Sequence, residues 1–294
     1  MRVPALMLVF ALAAAPAQRP SSKLPQAARP SRNIVLWSMS RESVDMLLSG
    51  IPQADPLRLA QLRQTFLDLQ CRSPHLREPP APGGSNLVCT LPGDKSAKDG
   101  TILFLADYEH QGPGESAVAN WSGALMLPFL YHALSATPRG HTFLFAEVKG
   151  EVGARALYDS FTPVQRKAIQ GVVALDALGL GPVQYYIEPD DTYAYYAWTR
   201  LQRSLLQAAA DQRLPAPSYF APGSWRKNDV TREFRHHNIP VMLLHSIDSA
   251  DRHVPGSAGD TEAAIDHDVY FQTLTLLADY AAELDRVRPP PSAR

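Results

Sequence analysis

The sequence is poor in cysteine, has almost no net charge and has no long apolar run beyond its first residues. Its 294 residues include two cysteines and carry a formal net charge of -1. A near-neutral chain has no electrostatic reason to bind nucleic acid or an anionic membrane, so neither is expected as a partner. No internal repeat is present. The length suits one large α/β domain or two small ones.

The N-terminus has the three parts of a secretory signal peptide. Arg2 supplies the positive charge, Val3–Ala15 is an apolar run, and Ala15-Pro16-Ala17 offers small residues at a cleavage site. The apolar run is too short to span a bilayer as a helix, although an uncleaved anchor is the alternative. Residues 1–17 are therefore predicted to be removed, which leaves a secreted or periplasmic protein with no membrane contact.

The two cysteines, Cys71 and Cys89, suit a disulfide in an exported protein. They lie on the apolar runs Thr65–Cys71 and Asn86–Leu91, and a Pro- and Gly-rich connection typical of a hairpin separates these runs. We expect the bridge to join two neighbouring strands. Two free buried thiols are the alternative.

Short apolar runs predict strands, and longer periodic patterns predict helices between them. The predicted strands are Asn86–Leu91, Thr101–Ala106, Thr142–Val148, Gly171–Leu175, Val183–Ile187 and Pro240–His245. The predicted helices are Asp55–Leu67, Asn120–Leu134, Asp191–Arg213 and Asp266–Val287. Strands that alternate with helices favour an α/β fold, a three-layer αβα sandwich around a mixed, mainly parallel sheet.

The domain boundaries follow from these patterns. Residues 18–54 are expected to be an N-terminal lead-in, residues 55–288 the α/β domain, and residues 289–294 a disordered tail. In the first predicted helix, Asp55 is expected to act as the cap. The apolar positions of that helix are Leu57, Leu59, Leu62, Phe66 and Leu67.

Acidic residues stand where three of the predicted strands end. Asp107 and Glu109 follow the second predicted strand, Glu151 follows the third and Asp176 follows the fourth. Functional residues collect at the carboxyl ends of parallel strands, so these carboxylates are expected to meet around one cleft. Such a cluster needs a cation, hydrogen bonds or bound protons. For any single acid, a solvated loop position or a helix cap is the alternative.

The stretch 114–124 resembles the segment Gly-Ala-x-Asp-Asn-x-Ser-Gly of metallopeptidase family twenty-eight. That family contains secreted zinc aminopeptidases and has glutaminyl cyclases among its relatives. Further similar segments occur in the family's order, at residues 106–109, 141–153, 173–179, 229–240 and 252–261. The resemblance covers most of residues 86–285 and implies the family's αβα fold.

The resemblance also implies a chemistry, in which two zinc ions share a bridging Asp and activate a water molecule. It places Asp107 at the family's first His ligand and Glu109 at the acid that orients this ligand. Asp176 and His253 occupy two metal-ligand positions that are retained. Glu151 takes the position of the general base.

Two of the family's ligand positions are apolar in this chain. Ala119 stands where the bridging Asp is expected, and Val152 stands where a Glu ligand is expected. The residues left over are too few for an ordinary zinc site. Three alternatives stay open: oxygen ligands around Ca²⁺ or Mg²⁺, His110 as a substitute zinc ligand, or no metal, with acids that share protons or pair with a cation such as Arg155.

The sequence thus predicts an exported, zinc-aminopeptidase-like protein with a degenerate metal site. Its leading interpretation is a pseudo-peptidase that retains a cleft for a peptide or a small amide. An active metal-dependent exopeptidase or related amide hydrolase with substitute ligands is the alternative. A plain binding module for an unrelated partner is a third interpretation.

Cleavage of the signal peptide generates the first testable prediction. The mature protein should begin near Gln18, because the small residues Ala15 and Ala17 occupy the positions that a signal peptidase reads. Intact-mass measurement of exported protein checks this. A mass that retains residues 1–17 would contradict the prediction.

Overall fold

A computed structural model describes residues 40–93, 100–187, 195–220 and 230–286. The predicted signal peptide, residues 18–39 of the predicted lead-in and the predicted tail lie outside these described residues. In the described part of the chain, no helix combines the length and the apolar character needed to cross a membrane.

The strands and helices follow one another along the chain as follows. The strands are β1 (Leu76–Arg77), β2 (Pro80–Ala81), β3 (Gly84–Ser85), β4 (Leu87–Leu91), β5 (Thr101–Asp107), β6 (Thr142–Val148), β7 (Ile169–Leu175), β8 (Gln184–Tyr186), β9 (Ser218–Tyr219) and β10 (Val241–His245). The helices are α1 (Arg41–Leu48), α2 (Asp55–Asp68), α3 (Ser122–Ser135), α4 (Gly150–Ser160), α5 (Pro163–Ala168), α6 (Tyr195–Asp211), α7 (Arg232–His236) and α8 (His267–Arg286). One π-helical turn, Ala117–Trp121, leads directly into α3.

The central sheet has eight strands in the order β1-β4-β6-β5-β7-β10-β8-β9. Its middle is parallel, since β5 pairs in parallel with both β6 and β7, and β7 pairs in parallel with β10. The pairs β4–β6 and β8–β10 are antiparallel. A mixed, mainly parallel sheet was predicted, and this prediction is confirmed.

Helices cover both faces of the sheet, which makes the predicted three layers. The larger core contains residues of α1, α2, α3, α6 and α8, packed against side chains such as Phe104 and Phe145. The smaller core contains residues of α4 and α7, packed against Leu103 and Leu105 of the same strand β5. Because both faces are covered, the middle strands are apolar along nearly their whole length, as parallel strands generally are.

The sequence located the main strands and four helices but missed several shorter elements. Each of the six predicted strands lies on β4, β5, β6, β7, β8 or β10, with ends that shift by up to two residues. The helices α1, α4, α5 and α7 were not predicted. Val44 and Leu48 of α1 are buried in the larger core, so residues of the predicted lead-in pack with the α/β domain.

Helix α2 buries Leu62 and Phe66 of the predicted apolar face, but Arg58 rather than Leu57 is buried with them. Leu57 is 62% exposed, whereas Arg58 is fully buried. The buried positions Arg58, Leu62 and Phe66 are four residues apart and form one helical stripe. Asp55 is not the cap of this helix; Ala54 is, and it makes no side-chain cap bond. The Asp55 carboxylate accepts a hydrogen bond from the backbone N–H of His110 at 2.8 Å.

A disulfide ties this helix to the sheet. The sulfur atoms of Cys71 and Cys89 lie at bonding distance, with their Cα atoms 6.3 Å apart, which is within the range for disulfides. Cys89 is on β4, but Cys71 follows the end of α2. The expectation that the bridge joins two neighbouring strands is therefore wrong, because the apolar run Thr65–Cys71 ends a helix.

Candidate functional site

Three acidic residues lie on neighbouring segments where the parallel strands end. Asp107 is the last residue of β5, Glu147 is the penultimate residue of β6, and Asp176 follows β7. The strand register pairs Ala106 with both Glu147 and Leu175, so the three strand ends lie side by side at one edge of the sheet. This edge is the candidate site that the sequence pointed to.

Asp107 is buried and held by the backbone around it. Its Oδ1 accepts hydrogen bonds from the backbone N–H groups of Glu109 at 2.8 Å and Gly150 at 3.1 Å. Burial raises the pKa of Asp107 to about 8, the two hydrogen bonds oppose this rise, and the charges of Glu109 and Asp176 add to it. Asp107 is thus mainly protonated at neutral pH.

Glu109 and Asp176 are close enough to Asp107 to act on it electrostatically, and both are half-buried. A Cβ atom added to Gly150 would meet Glu109 Oε2 at 2.8 Å, and Gly150 has a φ of +59°. Only glycine fits there without strain. The structure therefore brings three of the predicted site residues together: Asp107, Glu109 and Asp176.

Asp260 holds the π-helical turn that contains Ala119, the position where the family resemblance expects a bridging Asp. Its Oδ1 accepts a hydrogen bond from the Val118 N–H at 2.7 Å, and its Oδ2 accepts one from the Gly256 N–H at 2.7 Å. The backbone N–H of Ala119 also points at this carboxylate, 3.3 Å from Oδ2. The side chain of Ala119 is a buried methyl group, so this residue contributes only its backbone N–H to the contact with Asp260.

The Ser-Gly pair after this turn brings α3 against the end of β7. A Cβ atom at Gly123 would lie 2.4 Å from the carbonyl oxygen of Leu175, so only glycine permits this approach. Ser122 Oγ donates to the Val118 carbonyl at 2.7 Å and accepts from the Leu178 N–H at 2.8 Å. The motif that carried the family resemblance therefore packs beside Asp176.

Glu151 and His253, two further predicted site residues, contact groups other than Asp107, Glu109 and Asp176. Glu151 lies in the first turn of α4, not at a strand end, and its Oε1 is 3.3 Å from Nη1 of Arg232. His253 is exposed, and its Nδ1 lies 2.8 Å from the carbonyl oxygen of Ala250. Val152 is 53% exposed on α4.

The other candidate partners are also engaged with other groups. Nε2 of His110 lies 3.0 Å from the Gly114 carbonyl oxygen. Arg155 pairs with Glu233, with 3.2 Å between Nε and Oε2.

Glu147 is the side chain that the sequence analysis missed. It is fully buried, and neither carboxyl oxygen has a hydrogen-bond partner among the described residues. Burial raises the pKa of Glu147 well above its ordinary value, and the charge of Asp107 adds to this rise. The signal was present in the sequence, since Glu147 is the one ionisable residue in the apolar run Thr142–Val148, but it stands inside the predicted strand rather than after it.

The residues present do not fit a zinc centre. Within the described ranges, no group of three or more His, Cys, Asp or Glu side chains could hold a metal ion. The gathered acids Asp107, Glu109 and Asp176 offer oxygen atoms only, and Asp107 Oδ1 already accepts two backbone hydrogen bonds. Zinc sites in proteins are usually built with nitrogen or sulfur ligands among them.

The fold is similar to those of known peptidases and cyclases. The zinc aminopeptidase BSAP from Bacillus subtilis matches with a TM-score of 0.57 and 16% identity over 68% of this chain, and the match spans 50% of that chain. The LapA aminopeptidase of Legionella pneumophila matches with a TM-score of 0.66 and 15% identity over 87% of this chain and 75% of that one. This chain thus spans about half the length of the first enzyme.

A glutaminyl cyclase matches over nearly its whole length. The enzyme from Macrostomum lignano has a TM-score of 0.68 and 16% identity, over 89% of this chain and 95% of that chain. No protein-family model and no curated protein sequence matches the chain. At these identities the similarity establishes the fold, which is the αβα fold of zinc aminopeptidases and glutaminyl cyclases.

The unpartnered carboxyl of Glu147 generates the second testable prediction. Replacing it by Met, which is similar in length and apolar, should raise the free energy of unfolding by ~1–3 kcal/mol, because a buried polar group without partners is removed. The stability gain of Glu147→Met over the wild type should grow as the pH rises above the ordinary pKa of a glutamate side chain. The raised pKa means that the folded state binds the extra proton, so wild-type stability falls as pH increases.

Chemical denaturation of both proteins between pH 4 and pH 8 measures this effect. Glu147→Gln is the matched control: it removes the charge, and with it this share of the pH dependence, but keeps unpartnered polar atoms. If Glu147→Met lowers the stability at every pH, the carboxyl has a partner and the assignment is wrong.

Proposed function

We propose that this protein is an exported pseudo-peptidase of the zinc-aminopeptidase type. It retains a cleft for the amino end of a peptide but does not carry out the two-zinc chemistry. The observation that carries the proposal is the composition of the site, in which Asp107, Glu109 and Asp176 gather without a histidine. The degenerate metal site and the export of the protein are both part of the proposal.

The lost ligands support this proposal. A methyl group at Ala119 removes the ligand that would join two metal ions, and no change of pH can restore it. Glu151, the candidate base, pairs with the exposed side chain of Arg232. A water-activating base must lie within hydrogen-bond reach of that water, and the contacts of Glu151 favour another role.

The acids themselves suggest the ligand. Asp107 is mainly protonated when the site is empty, since burial and its acidic neighbours raise its pKa. An incoming ammonium group would stabilise the ionised form, so a free amino terminus complements this site better than a neutral group does. Glu109 and Asp176 are half-buried, so part of each side chain is accessible to a ligand.

Metal content and turnover give the third testable prediction. The purified mature protein should contain far less than one zinc ion per chain. It should hydrolyse aminoacyl substrates, and cyclise peptides with N-terminal glutamine, only at background rates. Ala119→Asp alone should not restore two zinc ions, because the nitrogen ligands remain absent.

Elemental analysis and both activity assays check this on the same preparation. Val152→Glu is the matched control, since it adds a carboxylate at an exposed position on α4. Nearly two zinc ions per chain with brisk turnover in the wild type would sink the proposal. That result would favour the alternative, an active exopeptidase or amide hydrolase with substitute ligands.

Ligand charge gives the fourth testable prediction. A peptide with a free amino terminus should bind at least ~10-fold more tightly than its N-acetylated form, a difference of about 1.4 kcal/mol. Glu109→Gln should reduce this preference because it removes a charge beside Asp107. Fluorescence anisotropy with matched peptides measures both effects, and equal affinity for the two peptides would speak against an amino-terminal site.

A further inference from the structure

The two oxygen atoms of the Asp107 carboxyl group have different surroundings. Oδ1 accepts hydrogen bonds from the backbone N–H groups of Glu109 and Gly150, at 2.8 Å and 3.1 Å. Oδ2 faces the side-chain amide of Gln111, whose Nε2 lies 3.5 Å away. Among the described residues, no other group forms a hydrogen bond with Oδ2. One carboxyl oxygen is therefore committed to the backbone, and the other is left to a single side chain.

The backbone of Gln111 is held in a closed loop after β5. Its N–H donates to Ser116 Oγ at 2.7 Å, and the same hydroxyl group donates to the Gln111 carbonyl oxygen. The next residue, Gly112, has a φ of +80°, and a Cβ atom there would lie 2.4 Å from the carbonyl oxygen of Gly256. Only glycine fits at this position. The Gln111 side chain therefore leaves the loop from a defined place, next to Asp107.

The contact between the Gln111 amide and Asp107 is weak. An N–H···O hydrogen bond usually spans roughly 2.7–3.2 Å between heavy atoms, and 3.5 Å exceeds this range. Gln111 is half-buried, and within the described part of the chain its carboxamide has no second hydrogen-bond partner. A side chain that is held by one long contact can leave that contact at little cost.

We infer that the Gln111 carboxamide is an internal placeholder, which occupies Oδ2 of Asp107 until the amino group of a peptide displaces it. The inference rests on the proposed function, in which this acid receives a free amino terminus. A carboxamide offers a neutral N–H donor, whereas an ammonium group offers charged ones. Hydrogen bonds with an ionised donor are shorter and about twice as strong. An ammonium group therefore outcompetes the carboxamide for this oxygen, and a neutral amide has no such advantage.

Two substitutions at Gln111 test the placeholder and leave its backbone contacts in place. Gln111→Ala removes the carboxamide. Gln111→Asn is the matched control: it keeps the amide but shortens the side chain by one methylene group, so the amide no longer reaches Oδ2, which is already 3.5 Å away in the wild type. The probes are a peptide with a free amino terminus, labelled at its other end, and the N-acetylated form of the same peptide. Fluorescence anisotropy at one neutral pH gives both affinities for each protein.

Both variants should bind the free-amine peptide about 2- to 10-fold more tightly than the wild type does, because one hydrogen bond no longer has to be broken first. Their affinity for the N-acetylated peptide should stay unchanged, because that peptide has no ammonium group to place against Oδ2. A general loosening of the loop would instead change the affinity for both peptides alike. The difference between the two peptides therefore separates displacement of the amide from a structural effect.

Unchanged or weaker binding of the free-amine peptide by Gln111→Ala would overturn the inference, and so would an equal gain for both peptides. Affinities like those of the wild type in Gln111→Asn would also overturn it, since they would show that the contact with Oδ2 has no part in the effect. Equal affinity for the two peptides in the wild type and in both variants would overturn the proposed function, and the placeholder with it.

Discussion

The close packing of β5, β6 and β7 governs the chemistry at their carboxyl ends. These strands are buried on both faces, and their parallel register brings Asp107, Glu147 and Asp176 to the same edge of the sheet. An acid in such surroundings must take a proton, accept hydrogen bonds or face a cation. Asp107 does the first two, Glu147 is left with the first, and Asp260 accepts hydrogen bonds from several backbone amides.

This packing also explains how buried acids are accommodated in this αβα fold. Asp107 and Asp260 accept hydrogen bonds from backbone amides, and burial favours the protonated form of Asp107 and Glu147. The close approach of α3 to β7 at Gly123, and of Glu109 to Gly150, keeps these groups in place. The site is therefore built from backbone geometry as much as from ionisable side chains.

The sequence predicted the layers and the middle strands because their signals are local. An apolar run such as Thr142–Val148 has few alternatives to a buried strand, and β6 has these same bounds. Helix α4 was missed, because a helix that begins two residues after a strand ends leaves little room for a separate pattern. Helix α2 was found with part of its buried face, Leu62 and Phe66, but Leu57 was expected where Arg58 is buried instead.

The candidate site was predictable only in part. Strand-end position was enough to bring Asp107, Glu109 and Asp176 together, because parallel strands align their carboxyl ends. The places of Glu151 and His253 depend on the loops after the strands, and a shift of one residue in such a loop turns a side chain away. The burial of Arg58 was not predictable, because its partners are backbone carbonyls that leave no trace in the sequence.

The disulfide gives helix α2 a second role. The helix has 14 residues and is about 21 Å long. Cys71 lies just beyond one end of this rod and Arg58 lies near the other. The bond to Cys89 anchors the rod to β4, so a thiol reductant that opened it would remove the covalent link between the sheet and the helix whose Arg58 contacts the Tyr108 and Glu115 carbonyls.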